Sequence, residues 1–187
     1  PILISPVLTR IYTPEDFGWF ALFIAVTVIF GSIANGKYET AIMLPNKDED
    51  AINLFALGFI ITFSVSILLL IFIIFFNQYF ANMFGNKEFR QWLYFVPLGV
   101  FLIGLWNLLN FFNNRIKNYK QIKNITILNS IVLAILQISI SYFKSGVTGL
   151  IGGQLVSKLL GNILLLKNIL KNSVLISKIS TTRMLAL

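Results

Sequence analysis

Long apolar runs alternate with short polar breaks along the whole chain. The run at 17–44, FGWFALFIAVTVIFGSIANGKYETAIML, is too long and too apolar for a soluble helix and fits a membrane span closing at Pro45. Four more runs of that kind follow, at 53–76, 92–112, 125–143 and 147–166. Residues 1–8 read as the tail of a first span, and 9–16 as a short loop. The pattern predicts an all-α fold, a polytopic helical membrane bundle with no second domain in residues 1–187. Because the chain starts at Pro1 in apolar text and stops at Leu187 without a closing element, it reads as a piece of a longer protein.

The breaks carry helix punctuation. Thr13-Pro14-Glu15-Asp16 offers a cap, a proline for the first helical turn, and acids for the positive end of the helix dipole. Asn46 with Glu49 repeats the device before the third span. That span is almost unbroken Ile, Leu and Phe and reads as a lipid-facing wall, with 77–91 as the loop after it. In the fourth span Pro97, Gly99 and Gly104 predict a kink. Residues 113–124, NNRIKNYKQIKN, read as a basic loop, and Lys144-Ser145-Gly146 as a tight turn. The tail from Lys167 reads as a loop with part of an amphipathic helix.

Polar groups inside the apolar runs are the candidate chemistry. An ionisable group at membrane depth costs about 3 kcal/mol on insertion scales, so it normally faces protein or a wet cavity. On a continuous helix Ser32, Asn35, Gly36 and Glu39 share a face, and Lys37 lies off it. Lys37 and Glu39 therefore either snorkel to the headgroups, or Glu39 lies on a polar pathway or in an interhelical bond. Asn107, Asn110 and Asn114 recur at helical spacing, as amide bonds between helices or as a substrate face. Thr126, Asn129, Ser130 and Gln137 gather on one side of the fifth span. In the sixth, Gly153, Ser157 and Gly161 make a small-residue seam, with Gln154 and Lys158 beside it. Lys158 is mid-span, too deep to snorkel easily; it faces a cavity, or it is buried with an acidic partner such as Glu39.

Composition narrows the functions. The chain is 57% hydrophobic and 12% charged, a membrane composition. It has no Cys and no His, which removes disulfides, thiol nucleophiles, the usual zinc ligands and the usual general base. No paired carboxylates and no P-loop appear, so neither enzyme chemistry nor a cofactor or metal is expected. The net charge of +8 reflects loop bias rather than nucleic-acid binding. One side holds Lys47, Arg115, Lys117, Lys120, Lys123, Lys167, Lys171, Lys178 and Arg183; the other holds Arg10, Lys87, Arg90 and Lys144. The first side is expected to be cytoplasmic.

Two stretches carry a resemblance. Leu8-Thr9-Arg10-x-Tyr12-x-Pro14-Glu15-x-Phe17-Gly18 is followed by Tyr38-Glu39-x-Ala41-Ile42-x-Leu44-Pro45 and then Asp48-Glu49-Asp50-Ala51. This resembles the opening of bacterial polysaccharide-biosynthesis flippases, of the multidrug/oligosaccharidyl-lipid/polysaccharide exporter superfamily. The motifs cover the first third; the remainder is similar in span pattern. The resemblance implies the first lobe of a two-lobe transporter in the bacterial inner membrane. It also implies movement of an undecaprenyl-diphosphate-linked oligosaccharide for O-antigen or capsule synthesis. Membrane lipids and other polysaccharide-assembly proteins are the further partners expected. Lys158, Gln154, Asn107, Asn110, Asn129 and Gln137 would supply cationic and amide groups to the head, with Glu39, Asn35 and Lys37 beside the path. The alternatives are a drug or small-molecule exporter of that superfamily and a non-catalytic assembly component of a polysaccharide complex.

Overall fold

A computed structural model describes residues 5–84, 89–143 and 146–170, with the side chains of all of these but 80–84, 89, 90, 143 and 168. The described residues are mostly helical, with no strand: α1 (Ser5–Ile11), α2 (Pro14–Ile33), α3 (Tyr38–Ala41), α4 (Asp48–Phe84), α5 (Phe89–Leu93), α6 (Val96–Arg115), α7 (Tyr119–Phe143) and α8 (Thr148–Leu170). Five helices are long and apolar enough to cross a membrane. The expected turn at Lys144-Ser145, the charges of Lys87, Glu88 and Arg90, and the tail with Lys171, Lys178 and Arg183 lie outside the described residues and side chains.

The spine is α6. It packs on α2, α4 and α8, and α7 lies outermost, paired along α8. Half of the apolar stretches of α6 and of α8 is buried, against 17% for α2 and for α4. Close approach is made with small residues, since without a hydrophobic drive between spans it is van der Waals contact that joins them. A Cβ at Gly99 would stand 2.7 Å from Thr27 of α2, and one at Gly104 2.6 Å from Thr62 of α4. Phe23, Val96, Val100, Leu102 and Ile151 fill one core; Ile42, Ile52, Leu108, Phe112 and Leu165 fill a second. The rest of α4 shows Phe63, Leu68, Phe75 and Phe76 outward, as a wall toward lipid would.

The α2 cap forms as its sequence predicts: the Thr13 amide donates to Asp16 Oδ2 at 3.0 Å, and the Asp16 amide donates to Thr13 Oγ1 at 3.2 Å. Other boundaries differ. The run at 17–44 is not one helix: α2 stops at Ile33, and Gly36 (φ 59°) and Lys37 (φ 64°) adopt left-handed backbone before α3. Such residues end a helix, and hydropathy cannot register them because the apolar residues continue on both sides. The shared face of Ser32, Asn35 and Glu39 therefore does not exist as a helical stripe. Helix α4 opens at Asp48, so Asn46 lies one residue before the cap position, and it continues through Asn77 to Phe84 where a loop was expected. At the fourth span the chain turns at Tyr94–Phe95, and Pro97 sits in the first turn of α6, where its missing N–H costs nothing. The basic loop shrinks to 116–118, with Lys117 left-handed (φ 57°).

Candidate functional site

Lys158 is the eleventh residue of the 23 in α8, roughly 15 Å from either end at 1.5 Å per residue. Its ammonium does not meet Glu39. The Nζ atom lies over the indole of Trp106, 4.5 Å from the ring centroid. Among the described residues it has no carboxylate and no hydrogen-bond partner. An indole face contributes about 0.5–2 kcal/mol to a cation, less than the roughly 3 kcal/mol that a mid-span charge costs. The ring holds the ammonium without neutralising it.

Gly161 makes this contact possible. A Cβ there would lie 2.7 Å from Trp106 Cζ3 and 3.4 Å from the Asn129 amide of α7, so the missing side chain is the seat of both. The expected seam is real: Gly153, Ser157 and Gly161 are all buried, and Gly153 lies against Gln137 of α7. A cavity of ≈ 10 Å³, large enough for a single water, lies between α2, α6 and α8 and is bounded by Thr27, Leu102, Gln154 and Lys158. Gln154 and Ile24 also border a larger cavity of ≈ 500 Å³, lined mostly by apolar side chains of α1, α2, α7 and α8. Gln137 lies on its wall, buried, donating Nε2 to the Leu150 carbonyl at 3.4 Å. The Gln137 carbonyl in turn accepts from the Tyr12 hydroxyl at 2.6 Å. Burial raises the Tyr12 pKa, which keeps the phenol a donor.

The structure therefore gathers Lys158, Gln154, Gln137 and Asn129 along α7 and α8, and it separates the rest. Asn35 is fully buried behind α6, with Nδ2 3.5 Å from the Gly104 carbonyl and Oδ1 unpaired. Glu39 is 5% exposed on α3, with Oε2 unpaired; it neither snorkels nor bonds across helices. Lys37 is exposed in the turn before it. Asn110 donates to the Trp106 carbonyl of its own helix at 3.0 Å, and Asn107 is half-buried on the same helix. Trp106 is the residue that sequence reasoning missed. Its signal was depth: tryptophan favours the interface, and this one lies mid-span. Asn162, which donates to the Leu102 carbonyl at 2.9 Å, was missed as well.

Five helices long and apolar enough to cross a membrane define a multi-pass membrane protein. The family follows from comparison: residues 7–186 match the family model described as polysaccharide biosynthesis protein, and the chain belongs to that family. Its role lies in polysaccharide biosynthesis or export. No curated protein and no solved structure matched.

Proposed function

We propose that the protein is the first lobe of a two-lobe flippase rather than an enzyme. It moves an undecaprenyl-diphosphate-linked oligosaccharide from the cytoplasmic to the outer leaflet of the bacterial inner membrane. One observation carries the reading: a mid-span ammonium rests on an indole instead of a carboxylate. A diphosphate is an anion that such a group receives as a point charge, and an indole gives the ammonium up more readily than a carboxylate would. Gln154, one turn away, adds an amide at the same cavity. Family membership supplies the polysaccharide context.

The test is complementation of cells lacking the full-length protein, with surface polysaccharide and protein level measured together. Lys158→Ala is expected to lose most polysaccharide at normal protein level, Lys158→Arg to keep part of it, and Lys158→Glu to be worse than Ala. Normal polysaccharide and normal expression for Lys158→Ala would refute the transport role.

A further inference from the structure

We infer that the ≈ 500 Å³ cavity between α1, α2, α7 and α8 is a subsite for the apolar chain of an anionic lipid whose head lies toward Lys158. For the head's place in transport this rests on the function proposed above; the chain site rests on the cavity itself.

Size is the first ground. The cavity is an open groove, and clefts of roughly 300–1,000 Å³ accommodate small-molecule ligands. The second is lining. Phe17, Phe20, Leu133, Ala134 and Leu150 form most of the wall, and among the described residues polar groups come only from Ser5, Ser130, Gln137 and Gln154. Ordered water needs two to four polar partners, so such a wall favours hydrocarbon. The third is continuity with charge. Gln154 and Ile24 border both this cavity and the small one at Lys158. An amphiphile lying there puts its chain against Phe20 and Leu133, its neck at Gln154 and its phosphate toward the ammonium. The fourth is rigidity. Gln137 is fixed at its side chain by the Leu150 carbonyl and at its own carbonyl by Tyr12. That part of the wall is thus held before binding, which lowers the cost of ordering there.

Photolabelling of the protein in nanodiscs tests this. Two probes share one diazirine-bearing isoprenyl chain; one ends in a phosphate and the other in an alcohol. Labels from both are expected at Phe20, Leu133 or Leu150, above the level at Phe63 and Phe75 on the outward face of α4. Ala134→Phe narrows the cavity and should weaken both labels about tenfold, the loss of roughly two buried methylenes. Leu8→Trp, at the half-buried edge of the cavity, gives the same reading if Ala134→Phe yields no folded protein. Lys158→Ala should weaken the phosphate label and spare the alcohol. Labels no denser in the cavity than on α4, or unchanged in folded Ala134→Phe or Leu8→Trp, would overturn the inference. So would a cross-link showing the cavity filled by the chain's own residues ahead of Ser5. Polysaccharide lost in Lys158→Ala without cavity labelling would sink this subsite and leave the transport reading standing. Cavity labelling with normal polysaccharide in Lys158→Ala would do the reverse.

Discussion

Adjacent glycines on α8 provide a measurement of how closely it meets α7. Gly152 and Gly153 occupy the same helix interior, so replacing either by Ala gains about the same 1 kcal/mol of helix propensity. Their surroundings differ. A Cβ at Gly152 would find its nearest atom, Ile140 Cδ1, at 3.7 Å, an ordinary contact. A Cβ at Gly153 would lie 2.8 Å from Gln137 Cγ and 3.2 Å from the Gln137 backbone nitrogen. The side-chain atom can swing away; the backbone of a paired helix cannot, and overpacking typically costs about 1–3 kcal/mol. With the propensity gain cancelling, Gly153→Ala should be about 1–3 kcal/mol less stable than Gly152→Ala. Gly161→Ala should fall between them, because its nearest obstacle, Trp106, is a side chain. Thermal unfolding in detergent, followed by monodispersity, gives the order Gly152→Ala, Gly161→Ala, Gly153→Ala. Tryptophan emission adds a second readout, since of these three only Gly161→Ala touches an indole. Equal melting of Gly152→Ala and Gly153→Ala would refute the close approach and the seam with it.

Arg115 donates Nη1 to the Ile42 carbonyl at 3.0 Å and Nε to Asp48 at 3.0 Å, with the Asp48 side chain 58% exposed. Arg115→Ala should therefore cost about 1–3 kcal/mol and Asp48→Asn under about 1 kcal/mol; similar melting points for the two would show that the carbonyl bond contributes nothing. Tyr12→Phe removes the 2.6 Å bond to Gln137 and should cost about 1 kcal/mol in the same melts, with no loss for Tyr142→Phe, whose ring is 82% exposed. Because the chain has no Cys, single cysteines report topology: a membrane-impermeant thiol reagent applied outside should reach Ser145→Cys and not Asn118→Cys, and external labelling at 118 would reverse the orientation.

The span count and the start of α2 were legible because they rest on local signals. Thr13 and Asp16 form their reciprocal cap from four consecutive residues. Spacing by four brought Gly153, Ser157 and Gly161 to one face, as a helix must. The end of α2 was not legible. Only backbone angles at Gly36 and Lys37 mark it, and a lysine in left-handed backbone is a state its sequence does not announce. Glu39 consequently reaches the interior on a separate short helix, not on a stripe shared with Ser32. The partner of Lys158 was also hidden. A carboxylate was the natural guess from charge alone, and Glu39 was within the right apolar run. Which side chain stands opposite depends on how α6 packs on α8, and no single-helix periodicity reports that. An indole at mid-depth was the available clue.

The polar groups of this bundle fall into two kinds, and the division bears on function. Tyr12, Asn35, Gln137 and Asn162 each send a donor to a backbone carbonyl of another helix: Gln137, Gly104, Leu150 and Leu102. A helix carbonyl already has one partner but keeps a second lone pair, so these bonds tie spans together without breaking a ladder. They leave acceptors bare, as Oδ1 of Asn35 and of Asn162 show. Such bonds fix geometry. Lys158 differs. It carries three donors on a flexible stem. It lies over Trp106, a contact that uses the charge and, among the described residues, no hydrogen-bond acceptor. Gly161 keeps the ring in place from behind. An ammonium held on an indole can exchange that face for a phosphate at little structural cost, because no helix–helix tie breaks when it leaves.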